Sequence, residues 1–380
     1  MNSNIHDGIS KVGILKDGCS MIILRNNFST ILVGISLLLM GYNFLFFSAL
    51  NLHIDNSDIY KNIIRFFAIF LLVGALSLNK KVILFEIFLI LFFLSSFLIN
   101  NNEYTLNFSF ILFFLLCSRT LAFNKLLDIV FYIYFSLFFI HVVLFNLGMF
   151  DNQIFTYEGR TRADYGFTNV NKLGNFYFLF LVLCLTTFLN SKSKYLKCFF
   201  CLLGFGFSLY FILESGSRTS LVCAFIAIFI ALTSRVEGLN KANKIFINFS
   251  ILFGCVISFL LASNYGQFLD NYLSYRPSLF QSYILDYFNS IEYLTLGYSS
   301  DFVNSIDNSF LVFIGTVFFP VSFVLIIFSF FKIRKTYILP ENYALCISVV
   351  LSGIFENNLL RPEFLVVLLL FHVLFFSEKK

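Results

Sequence analysis

Long apolar runs, each followed by a polar break, recur along almost the whole chain. A bilayer-spanning helix needs about 20 mostly apolar residues. Twelve candidate spans can be placed on that measure, at approximately residues 29–50, 62–78, 82–99, 106–122, 127–150, 174–189, 198–214, 219–233, 245–262, 309–331, 343–355 and 359–377. The eleventh is the shortest. The pattern predicts an all-α, polytopic membrane protein with residues 1–380 as a single membrane domain. The first run begins near residue 29, is longer than a signal-peptide core and has no small-residue cleavage site, so it is expected to remain as a span.

The breaks are unequal. Most are a few residues long, but 151–173 and 263–308 are long loops, the kind of segment that carries function. Within the second, PSLFQSYILDYFNSIEYL opens with Pro277, a favoured first helical residue. Phe280, Ile284, Phe288 and Ile291 follow at helical spacing, which predicts an amphipathic helix lying on the membrane surface.

Charge gives the bundle an expected orientation. Lys11, Lys16, Arg25, Lys80, Lys81, Arg119, Lys125 and the basic residues of the later even-numbered breaks put eighteen cations on one side against eight on the other. The positive-inside rule then places both termini in the cytoplasm and the two long loops outside. The acidic residues Asp151, Asp270, Asp301 and Asp307 lean outward with those loops.

Composition agrees with this picture. The chain is 59% hydrophobic and 12% charged, against about 45–50% and 25% in a soluble domain. The net charge of +5 is scattered in small groups, so no basic run tracks nucleic acid. The eight cysteines lie mainly in or beside apolar runs, and Cys198 and Cys201 form a C-x-x-C on an expected membrane helix without a second pair. Neither a disulfide framework nor a metal site is expected, and no cofactor.

The outer cations are Lys61, Arg65, Arg160, Arg162, Lys172, Arg218, Arg276 and Arg361. Six of these eight are Arg, whose planar fork matches phosphate oxygens two at a time. A snorkelling anchor is the plain alternative for any one of them. Two segments ask for more: GRTRADYGFTNVNKLG (159–174) and SGSRTSL (215–221) set Gly, Ser, Thr and Asn beside the Arg. Gly216 allows a tight turn, and Ser215, Ser217 or Thr219 can cap the next helix, whose amides would join Arg218 in facing an anion.

Together these segments and SIDNSFLVFIGTVFFPV resemble the O-antigen polymerase and O-antigen ligase superfamily of bacterial envelope glycosyltransferases. That pattern has Arg, Gly and F-x-N-x-N before one span, Ser-x-Ser-Arg before another, and His-Asn or Asp-Asn before a third. Here it is matched by Arg160, Arg162, Gly166, Phe167, Asn169, Asn171, Ser215, Ser217, Arg218, Asp307 and Asn308, within about residues 150–330. Two positions depart: the usual N-P-N reads Asn169-Val170-Asn171, and the ligase His position is Asp307, which favours a polymerase.

The resemblance implies transfer of a glycan from a polyprenyl diphosphate carrier to a second lipid-linked repeat unit, at the outer leaflet of the cytoplasmic (inner) membrane. It implies undecaprenyl-diphosphate-linked oligosaccharides and membrane lipid as partners, with a chain-length regulator protein beside them. Arg160, Arg162 and Arg218, with Arg276 a weaker fourth, would hold the diphosphate and stabilise its growing charge without a metal. Asp307 would orient or deprotonate the acceptor hydroxyl. Asn169, Asn171, Ser215, Ser217 and Asn308 would line the substrate.

Competing assignments stay open on sequence alone. Asp307 is equally suited to cap the helix after it. His141 and His53 read as polar structural residues, Glu214 as a partner for Arg218, and Glu356 as a partner for Arg361. A ligase and a lipid-linked oligosaccharide flippase remain the alternative activities, although no internal repeat of the transporter kind is visible.

Overall fold

A computed structural model describes residues 27–50, 52, 57–78, 103–150, 152–157, 160–191, 195–270, 275–290, 307–316 and 319–376. The span expected at 82–99 and His53 lie outside these residues. The described chain is a bundle of helices: α1 (Asn27–Ala49), α2 (Ser57–Ser77), α3 (Glu103–Ser118), α4 (Phe123–Asn146), α5 (Val170–Asn190), α6 (Tyr195–Ser215), α7 (Arg218–Thr233) and α8 (Glu237–Leu261). It continues through α9 (Arg276–Asn289), α10 (Ser309–Thr316), α11 (Phe319–Arg334), α12 (Tyr343–Phe355) and α13 (Leu365–Phe376).

Six of these, α1, α2, α4, α5, α6 and α8, are long and apolar enough to cross a membrane. The protein is therefore membrane-embedded and all-helical in its bulk. Within the expected span at 309–331 the described residues form α10 and α11, and 317 and 318 lie outside the described residues. The expected eleventh span is a helix of 13 residues, and the twelfth has 12 helical residues among those described. A 13-residue helix rises about 20 Å, short of the roughly 30 Å of a hydrocarbon core. Its end therefore lies inside the bundle, where the following Glu356, Asn357, Asn358 and Glu363 are all buried.

Helix α5 is the axis of the fold. Its most apolar window is 78% buried, against 28–50% for the other full-length helices. Apolar residues on every side suit a helix enclosed by others, and α5 packs on α4, α6, α7 and α12. Aromatic rings fill the contacts: Tyr134 stacks on Phe176 with centroids 5.3 Å apart, and Tyr177 on Phe211 at 4.3 Å. Outside this centre the pattern inverts. Along α2, Ile59, Ile63, Phe66 and Phe70 are exposed while Arg65, Ala68, Leu72 and Ala75 are buried, as expected of a helix whose outer stripe meets lipid.

The 151–173 loop contains a hairpin that hydropathy did not predict, β1 (Ile154–Tyr157) paired antiparallel with β2 (Arg160–Ala163), Tyr157 opposite Arg160. β-branched and aromatic residues in β1 suit a short strand. The segment after it closes the end of α1, whose last turn, Leu45–Ala49, is a π-helix. Thr168 N–H donates to Ala49 O at 2.8 Å and Lys172 Nζ to Ser48 O at 2.9 Å, so helix-end carbonyls find donors there. His141, near the end of α4, is fully buried beneath the same segment. Its Nε2–H donates to Tyr165 O (2.9 Å), and the neutral ring's Nδ1 accepts from Tyr177 O–H (2.6 Å), so it ties three elements together.

These contacts sort the chain's polar breaks onto two ends. One end gathers the starts of α2, α5, α7, α9 and α10 with the hairpin and the break after α12. At the other, Lys125 meets Thr30, Asn190 meets Asn342, and Lys197 forms an ion pair with Asp128.

At the first end α5 comes close to the turn between α6 and α7. A Cβ on Gly174 would lie 2.5 Å from Ser217 Cβ and 2.9 Å from Ser215 Oγ. Gly216 in that turn has φ +58°, a conformation suited to glycine. In Gly174→Ala the helix-propensity gain of about 1 kcal/mol is smaller than an overpacking cost of about 1–3 kcal/mol. A lower melting temperature in detergent is expected, and an unchanged or raised one would contradict the close approach.

Candidate functional site

Helix α12 stops within the bundle, leaving backbone carbonyls that need donors. Three side chains from elsewhere supply them. Asn308 Nδ2 donates to Ile354 O (2.7 Å), Arg276 Nη1 to Phe355 O (2.6 Å) and Ser309 Oγ to Glu356 O (2.9 Å). A cation also suits the negative end of a helix.

Arg276 does more than cap. It is the first residue of α9, followed by Pro277, and its guanidinium reaches four residues in three other segments. Besides Phe355 O, Nη1 contacts Thr219 Oγ1 at 3.4 Å, and Nη2 contacts Glu356 Oε1 at 3.3 Å and Asp307 Oδ2 at 3.4 Å. Both carboxylate contacts are longer than the about 2.7–2.9 Å of a tight charge-assisted bond. The Arg276 side chain is 15% exposed and forms the floor of this cluster, while the Asp307 side chain is 50% exposed at its rim.

Glu356 lies just beyond α12 and is buried. Burial pushes its carboxyl up to about 7; Arg276 opposes the shift and Asp307 adds to it. The group is thus poised between its neutral and charged forms. Sequence reasoning paired Glu356 with Arg361 and gave it no part in the site. The available signal was a carboxylate directly after an apolar run, in SGIFENN.

In the Asp307-Asn308 pair the cap considered for Asp307 falls to its neighbour. Asn308 is the cap: its Oδ1 accepts from Phe310 N and Leu311 N, each at 3.0 Å. Its Nδ2 is occupied by Ser258 Oγ and Ile354 O, and the residue is fully buried. Asn308 therefore positions Asp307, with its amide fully engaged within the fold.

Arg162 forms a second station. Its Nε donates to Ser215 O at 3.0 Å and its Nη2 to Asn171 Oδ1 at 2.8 Å, and its stem lies across Gly216. Asn169 caps α5 by accepting from Asn171 N at 2.7 Å. Ser215 and Ser217 are buried in the turn: Ser215 Oγ donates to Ile212 O, and Ser217 Oγ pairs with Ser220 Oγ at 3.0 Å. Ser217 occupies the N-cap position of α7, yet its side chain does not bond a helix amide. Of the expected substrate-lining residues, Asn169, Asn171, Ser215 and Ser217 thus hold Arg162 and the turn in place. Glu214 accepts from Tyr165 O–H (3.4 Å) instead of meeting Arg218.

Arg218 begins α7 and is exposed, directly before the Thr219 that touches Arg276. Arg160 opens β2 opposite Tyr157. The turn at 215–219 therefore joins the two stations, with Arg162 on one side and Arg276, Asp307 and Glu356 on the other. The Phe280, Ile284, Phe288, Ile291 stripe expected for α9 is only partly the face it buries. Pro277, Phe280, Tyr283 and Tyr287 pack inward, Phe288 is exposed and Ile291 lies outside the described residues. Packing against the bundle, which brings Arg276 in, decides that face.

No protein-family model matches the chain, and neither does a curated protein or a solved structure.

The carboxyl of Glu356 predicts a pH signature. Its folded value of about 7 lies above the ordinary 4.5, so the folded state holds this proton more tightly. Its contribution to stability is present below the ordinary value and is lost as pH rises toward 7 and through it. Glu356→Gln, which keeps the neutral shape, should gain stability relative to wild type as pH rises through that window. Parallel melting-temperature profiles for the two proteins would contradict the buried, proton-holding carboxyl.

Proposed function

We propose that the chain is a glycosyltransferase that polymerises surface polysaccharide, O antigen or capsule, at the outer leaflet of the bacterial cytoplasmic membrane. A glycan would leave a polyprenyl diphosphate carrier and join a second lipid-linked repeat unit. The observation that carries this reading is the convergence on Arg276 of Asp307, Glu356 and the start of α7, beside exposed Arg218.

The reaction forms a bond between an acceptor hydroxyl oxygen and the anomeric carbon, and breaks that carbon's bond to the diphosphate. The lipid diphosphate leaves with the electron pair. Its growing charge is the main energetic problem, and donors already fixed in a dry site stabilise such charge most. We assign this role to Arg218 and Arg276, with Arg160 and Arg162 of β2 as the further candidates. The 3.3–3.4 Å carboxylate contacts leave the Arg276 fork able to turn part of its donor capacity to a phosphate.

Asp307, at the rim, would accept the acceptor hydroxyl's proton as the new bond forms. Glu356 sits behind Arg276 and tunes it by gaining or losing charge. Phosphate binding at Arg276 would also favour the neutral form of Glu356, through the like charge brought near.

The test is the glycan of a deletion strain carrying variants, with membrane abundance checked. Arg218→Ala should abolish long-chain polymer and leave single lipid-linked units on the outer leaflet, and Arg218→Lys should restore only part of it. Normal chain length in Arg218→Ala at normal abundance contradicts the assignment. Single units held on the inner leaflet would instead identify a flippase, and polymer left on the carrier a ligase.

A further inference from the structure

The surface at the end of α4 does not turn polar where the helix stops. Phe139, Val143 and Leu147 are exposed at four-residue spacing, a stripe of the lipid-facing kind. On α6, which meets α4 through Phe138 and Phe207, exposed Tyr210 and Leu213 run up to exposed Glu214. Past the last turn of α4 the apolar exposure goes on, with Leu147 at 69%, Met149 at 58% and Ile154 of β1 at 67%. From Val142 to Tyr157 the sequence holds one charged residue, Asp151. The hairpin starts beside this helix end: Tyr165 N–H donates to Asn152 Oδ1 at 3.1 Å, and the Tyr165 ring packs on Phe145 with centroids 5.3 Å apart. The apolar patch is therefore continuous with the lipid-facing stripe of α4, and a large exposed patch of this kind marks an interaction surface.

The two strands face different surroundings. β2 is the inner one: it packs on α6, and its Arg162 donates to Ser215 O. β1 is the outer one, and among the described residues no strand pairs with its other edge. Ile154 and Phe155 lie on opposite faces of the sheet, and both are exposed. These features fix a depth. Apolar side chains gain by leaving water, whereas an open strand edge does not enter hydrocarbon, where its backbone groups would find no partner. The headgroup and ester layer satisfies both, because its oxygens accept N–H groups and the upper acyl chains cover the side chains. Tyr165 and Tyr210 mark the same level. Their hydroxyls meet at 3.2 Å beside Glu214 while both rings pack on Phe211, the half-apolar, half-polar placement of tyrosines at a membrane boundary.

We propose that β1 and the Leu147–Met149 turn form a membrane-docking surface, seated in the headgroup layer of the leaflet at this end of the bundle, with the phospholipid bilayer as partner. The hairpin is then a tether: β1 grips the lipid surface, and β2 is held between that surface and the turn at 215–219. The inference rests on the membrane-embedded bundle and the open edge of β1, and it stands whether or not the chain transfers a glycan.

The chain contains no Trp, so a single introduced Trp reports only its own surroundings. Ile154→Trp is made in the full chain, checked for a melting temperature near that of wild type, and reconstituted into phosphatidylcholine liposomes. Its emission is quenched from the lipid side by brominated phosphatidylcholine and from the water side by iodide present on both faces of the membrane. Phe139→Trp, on the exposed stripe of α4, is the lipid reference, and dissolved N-acetyltryptophanamide is the water reference.

Scaled to these references, Ile154→Trp should lose a larger fraction of its emission to brominated lipid than to iodide. Bromines high on the acyl chain should quench it more than bromines near the chain end. If Ile154→Trp does not fold, Phe155→Trp, an aromatic exchange on the same strand, takes its place with the same expectation. Greater quenching by iodide than by brominated lipid places β1 in water and overturns the proposal. Greater quenching by the deeper bromines places it in hydrocarbon and overturns the headgroup level.

Discussion

An apolar helix that ends inside a bundle must have its last carbonyls satisfied by the protein, because lipid offers no donors. At the end of α12 that need is met by Asn308, Arg276 and Ser309, which bond the carbonyls of residues 354, 355 and 356 in turn. The same three contacts fix the rest of the site. Asn308 sets Asp307 at the rim, and Ser309 Oγ accepts from Leu359 N, which shapes the polar break. Arg276, drawn in by Phe355 O, brings a guanidinium between two carboxylates and the start of α7. A demand of backbone chemistry thereby assembles the cluster from which the proposed function is argued.

The break at 356–364 then links this cluster with α2, where Arg65 forms an ion pair with Glu363. Glu356 belongs to the cluster and Glu363 to the ion pair, and Asn357 and Asn358 between them are each hydrogen-bonded. Asn357 donates to Tyr104, and Asn358 donates to Ser352 and Asn175, at 2.6, 2.7 and 3.4 Å. Buried polar groups of this kind are costly unless bonded, and these hydrogen bonds tie the break to α3, α5 and α12.

Much of the architecture was legible because it rests on local quantities. Apolar length marks a helix, and the sidedness of Lys and Arg separated the breaks that the structure gathers at opposite ends. TNVNKLG and SGSRTSL stood out through their Gly and Asn, and they do meet, Gly174 against Ser217 and Asn171 with Arg162 across the turn. What failed to show were features set by contacts distant in the chain. Nothing near Glu356 announces Arg276, 80 positions away, and nothing near Arg65 announces Glu363, 298 away. Hydropathy also treats a 13-residue apolar helix as a weak span, when its early stop is what creates the site. The cap fell to Asn308 rather than Asp307 because its amide both accepts and donates, serving α10 and α12 together.

The account turns on the end of the bundle that carries Arg162, Arg218 and Arg276 facing away from the cytosol. Single cysteines at Thr161, exposed on the hairpin, and at Tyr195, exposed at the opposite end, would be placed in a chain whose native cysteines are replaced. Labelling with a membrane-impermeant maleimide then reads the orientation directly. The account predicts that Thr161→Cys reacts in intact cells while Tyr195→Cys reacts only after the membrane is permeabilised. The reverse pattern would contradict it.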